Sequence, residues 1–116
     1  MARFQLSELR EGMELPEITK IVTQRNINLY AEASRDFNPV HLNEEFARKA
    51  GLDGTIAHGM LILAYVSEML TTAFGLMWLT GSKLDVRFKA PAHPGETITA
   101  SGKITKLEKH NGQTTI

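Results

Sequence analysis

The sequence predicts an α+β fold in which antiparallel strands cover one long buried helix. Two observations carry this. Residues 59–74 are apolar almost all the way round, in Met60, Leu61, Ile62, Leu63, Ala64, Tyr65, Val66, Met69 and Leu70. A helix with so little polar face is expected to be surrounded by the rest of its fold. Residues 83–90 then alternate, Leu84, Val86, Phe88 and Ala90 against Lys83, Asp85, Arg87 and Lys89, which predicts a strand with one buried and one wet face. At 116 residues the chain can bury a single core, so one domain spanning 1–116 is expected.

The other elements follow in chain order. Residues 17–22 place β-branched side chains at alternating positions and read as a strand. Thr23 is a candidate cap for a helix to about Ser34, with Ile27, Tyr30, Ala31 and Ser34 on one face. Pro39 ends any helical register there, because it disfavours the α region for Asn38. Asn43 is positioned to cap a short helix through Ala50, with Gly51 as its stop. In the long apolar helix, Ser67 and Glu68 interrupt the run short of the ~20 residues that span a bilayer, so no membrane partner is expected. Pro94-Gly95 makes a turn, and residues 97–107 read as a further strand with Ile98, Ala100, Gly102 and Ile104 on one face. Asn111-Gly112 is a strong hairpin signal, yet only Gln113-Thr114-Thr115-Ile116 follow it. Four residues cannot pair with the whole preceding strand. The expectation is a sheet lacking its last C-terminal strand or strands, or one completed by another chain.

Composition narrows the function. Lys+Arg and Asp+Glu balance at 13 each, which argues against nucleic acid or an anionic membrane as partner. The chain has no cysteine, which removes disulfides, thiolate metal sites and Cys nucleophiles. The first ten residues have no signal-peptide pattern, and a cytoplasmic location is expected.

The chemistry concentrates in Asp36-Phe37-Asn38-Pro39-Val40-His41. Asp36 and His41 can both move protons near neutral pH when their surroundings are adjusted. Asn38 can bond local backbone in an Asx-turn, and Pro39 stiffens the loop between the two. Downstream, Gly59 opens the apolar helix, where a free backbone N–H and the helix dipole favour developing negative charge. Without a side chain it also lets a ligand come close. Together these fit addition of water across a carbon–carbon double bond next to a carbonyl: a base, an acid and an oxyanion donor. His58 reads as a cap or a packed supporting residue, with a direct catalytic role as the alternative. Asp36, His41 and His58 do not fall at metal-ligand spacings, so no metal is expected. His93 and His110 lie in turns and are expected to be solvated. Arg87 and Lys89 are the wet face of a strand, with contact to phosphates as the alternative. Tyr65, Met69, Phe74 and Trp78 are core or ligand-tunnel lining.

Ser34-Arg35-Asp36-Phe37-Asn38-Pro39-Val40-His41, followed by Ile56-Ala57-His58-Gly59-Met60-Leu61, resembles the hydratase-2 motif of MaoC-like, (R)-specific enoyl-CoA hydratases and dehydratases. The run Arg87-Phe88-Lys89-Ala90-Pro91 leading to Pro94-Gly95-Glu96 is similar too, and the resemblance extends from about residue 9 to the end. It implies a hot-dog fold, an antiparallel sheet wrapped around one long helix. It implies hydration of trans-2-enoyl thioesters of coenzyme A or acyl carrier protein, or the reverse dehydration. Asp36 and His41 would be the catalytic dyad, Asn38 would orient the loop, and the N–H of Gly59 would serve the thioester oxygen. No cofactor is implied, and a homodimer or higher homo-oligomer is. Two departures stand out: Arg35 where the family usually has Gly, and the short C-terminus. They keep open a non-catalytic partner subunit of a heteromeric hydratase. An acyl thioesterase using Glu68, the only carboxylate on the long helix, is the third reading.

Overall fold

A computed structural model describes residues 2–116. The chain divides into two compact units: one holds the chain up to Ile18 with Tyr65–Leu84 and Thr99–Ile116, the other Thr19–Ala64 and Asp85–Ile98. Strand β1 (Ile18–Ile21) pairs with β2 (Thr97–Ala100), and β3 (Glu108–His110) with β4 (Gln113–Thr115). Four α-helices complete the order: α1 (Gln24–Ser34), α2 (Pro39–Leu42), α3 (Glu44–Lys49) and α4 (Gly59–Phe74).

In the second unit the helices begin where local chemistry dictates. Thr23 Oγ1 accepts the Asn26 N–H at 3.0 Å and opens α1, whose Ile27 and Ala31 are fully buried. Asn43 Oδ1 accepts from Phe46 N at 2.9 Å and opens α3. Gly51, at φ 92°, stops that helix in the left-handed region that glycine occupies without strain. Pro39 departs from expectation. Asn38 lies outside the α region as expected, at φ −55° and ψ 127°, but the proline starts a helix rather than only ending one, because its missing N–H costs nothing at the first helical position.

Helix α4 spans the predicted residues but is not enclosed on all sides. Leu61, Tyr65, Met69 and Ala73 form a buried stripe at four-residue intervals, whereas Met60 is 57% exposed and Glu68 is also exposed. A 3-10 turn, Gly75–Leu79, extends it. The apolar pattern resumes after Glu68, so Gly59–Leu79 is 21 residues long and apolar enough to cross a membrane by length and composition, contrary to the sequence expectation. The α-helical part, at ~1.5 Å per residue, reaches roughly 24 Å, short of a ~30 Å hydrocarbon core. Its buried stripe packs in protein: in the first unit Met69 and Ala73 join Leu9, Leu15, Ala100 and Ile104 in one cluster. Met69, left open between core and tunnel, is thus a core residue; Phe74 packs against the same cluster, and Trp78 Nε1 donates to Thr71 Oγ1 at 2.9 Å.

The strand expected over 97–107 is interrupted. After β2 the chain makes only an isolated bridge, Glu14 with Lys103, before β3 begins at Glu108. The backbone of 12–15 supplies the bonds there, Leu15 N to Gly102 O at 2.9 Å and Ile104 N to Met13 O at 2.9 Å, and is too short for a full ladder. Ala100 and Ile104 are buried on the face that the alternation assigned. The Asn111-Gly112 hairpin forms, with φ of 50° and 77° and His110 opposite Gln113. Both central residues at positive φ match the twist of a two-residue hairpin.

The strand expected over 83–90 is absent among the described residues. All eight positions are exposed, Leu84, Val86 and Phe88 at 52, 41 and 57%, so the predicted buried face is uncovered. Alternation shows only that a segment has an apolar face. A strand also needs a neighbouring backbone to pair with.

Candidate active site

Helix α1 ends at Ser34, and Arg35 closes it in the left-handed region at φ 63°. The chain then turns through Asp36–Asn38 on short side-chain bonds. Asp36 N donates to Ser34 Oγ at 3.2 Å, Asn38 N to Asp36 Oδ1 at 3.2 Å, and Val40 N to Asn38 Oδ1 at 3.2 Å. Asn38 therefore caps α2 through its side-chain oxygen. Asp36 is exposed, and His41, third residue of α2, is buried.

The His41 ring is held from behind. Its Nδ1 lies 2.7 Å from the Ile56 carbonyl oxygen, which can only accept, so Nδ1 carries the proton and Nε2 keeps its lone pair. Gln24 Nε2 donates to the His41 carbonyl at 2.8 Å, and Thr55 Oγ1 donates to Gln24 Oε1 at 2.6 Å. The Glu44 carboxylate in turn accepts from Thr55 N at 3.1 Å and from Arg48 at 2.9 Å. The Thr55 N–H, with Arg48 adding to it against a smaller desolvation effect, holds the Glu44 carboxyl below its ordinary range. Gln24, Thr55 and the Ile56 carbonyl were invisible in the sequence, where nothing marks which distant backbone atom an imidazole will meet.

His58 is 2% exposed and stacks on His41, ring centroids 3.8 Å apart at 25°, with Tyr30 tilted against it at 4.9 Å. Its Nε2 lies 3.0 Å from the Asp36 carbonyl oxygen. Its own carbonyl accepts from Leu61 N at 3.0 Å and Ile62 N at 3.3 Å, so it also begins α4, as the cap reading anticipated. The N–H groups of Gly59 and Met60 have no acceptor among the described residues. A Cβ on Gly59 would lie 3.1 Å from the Phe88 ring, so that aromatic covers one side of the helix start. His93, expected to be solvated, is half-buried with Nδ1 3.0 Å from the Thr55 carbonyl oxygen; His110 is exposed.

One ligand-type atom from each of Asp36, His41 and His58 lies within 4.8 Å of the others. The fold thus gathers three donors whose spacing along the chain gave no metal pattern. A carboxylate beside an imidazole can bind and deprotonate a water, whereas holding a metal with all three through the His58 Nε2 would require that nitrogen to leave the Asp36 carbonyl. Glu68 is exposed in the middle of α4.

Among known proteins, an (R)-specific enoyl-CoA hydratase of Rhodospirillum rubrum is 34% identical over 103 residues, 86% of this chain and 69% of that protein. A mitochondrial 3-hydroxyacyl-[acyl-carrier-protein] dehydratase of Arabidopsis thaliana is 34% identical over 91 residues, 78% of this chain and 52% of its own length. The chain therefore spans roughly half to seven-tenths of these relatives. The solved (R)-hydratase of Aeromonas caviae superposes with a TM-score of 0.74 at 28% identity, over 88% of this chain and 76% of that one. The family model of the MaoC like domain matches residues 9–116, and with its α+β hot-dog architecture this chain belongs to the MaoC-like family.

Proposed function

We propose that the protein catalyses the (R)-specific hydration of trans-2-enoyl thioesters to 3-hydroxyacyl thioesters, or the reverse dehydration, with Asp36 and His41 as the acid/base pair. The observation that carries the reading is the fixed tautomer of His41. With Nδ1–H committed to Ile56, the Nε2 lone pair is left to take a proton beside the Asp36 carboxylate. A water shared by the two gives its hydroxyl oxygen to C3 as the C2–C3 π bond opens. The proton that the pair removes from the water goes to C2, so the pair returns to its starting state. Negative charge builds on the thioester oxygen in between, and the N–H of Gly59 at the start of α4 is the donor for it. Asn38 contributes by capping the helix that carries His41.

The substrates named for the relatives, enoyl-CoA and a 3-hydroxyacyl group on acyl carrier protein, support an acyl thioester as the substrate. The reading includes a homodimer in the cytoplasm. The uncovered apolar residues Leu84, Val86 and Phe88 favour a second copy as the missing neighbour of that segment.

Loss of enoyl absorbance from crotonyl-CoA and from a longer trans-2-enoyl-CoA tests the chemistry. Asp36→Asn and His41→Gln should each lower kcat by roughly 10²–10⁴-fold with little change in KM, since both groups act in the transition state. Near wild-type kcat in either variant refutes the dyad. Release of free thiol during the reaction would instead mark a thioesterase.

A further inference from the structure

We propose that His58 is the positioning residue of this site. It donates Nε2–H to the Asp36 backbone carbonyl and stacks on the His41 ring, and so fixes the spacing of the two proton-handling side chains. The inference rests on the dyad reading above and goes beyond it.

The loop that carries Asp36 needs such a tie. Its other hydrogen bonds, to Ser34 and from Asn38, are local, formed by side chains two residues apart. Among the described residues, the bond from His58 to the Asp36 carbonyl at 3.0 Å is the only one joining residues 35–38 to a distant part of the chain. His41 is anchored separately, through Ile56 and Gln24. Without His58, one member of the pair would be held and the other would rest on a loop of Asx and Ser turns. The same residue caps α4 with its carbonyl, so the Asp36 backbone and the Gly59 N–H are fixed through a single side chain and its own peptide.

The two ring nitrogens of His58 also leave it no part in proton transfer. A carbonyl oxygen only accepts, so the proton of a neutral His58 sits on Nε2 and is committed. Nδ1 is buried with no partner, so a second N–H there would have no acceptor. His58 therefore holds no proton for the reaction. It offers a ring face, centroids 3.8 Å apart, against which the His41 imidazole is kept from turning.

Two variants of the full chain separate the donor from the ring. His58→Phe keeps an aromatic face and loses the donor; His58→Gln keeps an N–H at similar reach and loses the ring. Crotonyl-CoA hydration is measured beside Asp36→Asn and His41→Gln. His58→Phe should lower kcat roughly 10–100-fold with KM within about twofold, the size expected when a supporting bond lets a reacting group drift by about 1 Å. His58→Gln should recover most of that loss. Wild-type kcat in His58→Phe, or equal loss in both His58 variants, overturns the proposal while leaving the dyad intact if Asp36→Asn and His41→Gln are inactive. Should those two remain active, the dyad reading itself fails. Nitrogen NMR of wild-type protein labelled at histidine needs no variant: His58 should appear as the Nε2–H tautomer, and an Nδ1–H or doubly protonated ring under assay conditions overturns the assignment.

Discussion

Arg35 sits at φ 63° and ψ 20°, a conformation in which its Cβ crowds the following carbonyl. For a side chain that costs roughly 1–2 kcal/mol relative to the right-handed region. Glycine at the same place avoids the clash but gives up about 0.5–1 kcal/mol in chain entropy. The balance for Arg35→Gly is a gain of roughly 0–1.5 kcal/mol, centred near 0.75, and at that centre Tm for a chain of this size rises by roughly 2–5 °C. Thermal melts followed by circular dichroism, with urea titration as a second measure, test it. Arg35→Ala is the control: it removes the same charge and keeps the Cβ, so its Tm should stay near that of wild type. Equal gains in Ala and Gly would trace the effect to charge and refute the backbone argument. Among the described residues Arg35 makes no ion pair with Asp36, so kcat should be unaffected in both variants.

Gly59→Ala sets a methyl 3.1 Å from the exposed Phe88 ring, which can swing away, so Tm should move by less than about 1 kcal/mol equivalent while kcat falls because a thioester can no longer approach the N–H. Adding Phe88→Ala to it should relieve any packing strain without restoring kcat; full recovery would place the obstacle at the ring. Glu44, whose carboxyl is held below its ordinary range by the Thr55 N–H, stabilises the fold above that range and loses the contribution as pH falls through its folded value. The Tm difference between wild type and Glu44→Gln should therefore be largest near neutrality and shrink below about pH 4.5, the ordinary value. A difference that grows with acidity would contradict the assignment.

Sequence and structure agree where a few neighbouring residues decide the outcome. Thr23, Asn38 and Asn43 each accept an N–H two or three residues on, and the Asn-Gly hairpin needs only its own two dihedrals. The motif put Asp36 and His41 on either side of the Asn-Pro turn, although His41 lies in helix α2 rather than in the loop, and the start of α4 fell at Gly59 as read. Agreement ends where a distant partner is needed. Leu84, Val86 and Phe88 alternate like a strand, but no described backbone hydrogen-bonds to residues 83–90 to complete one. His93 read as a solvated turn residue because nothing in the sequence shows that the Thr55 carbonyl meets it. Linear spacing likewise hid the approach of His58 to Asp36, which depends on the path of the whole second unit.

The bare segment from Lys83 to Lys89 carries charges that oppose one mode of fibre growth, the parallel in-register stack. Identical chains stacked in parallel register at ~4.8 Å would bring Lys83, Arg87 and Lys89 each against its own copy, a column of like charges that grows with every layer. An antiparallel neighbour centred on Val86 instead sets Asp85 opposite Arg87 and Leu84 opposite Phe88, and keeps a like-charge contact only at the ends, Lys83 opposite Lys89. The charges on the segment's wet positions thus discriminate between directions of pairing, favouring an antiparallel neighbour over a parallel one in register.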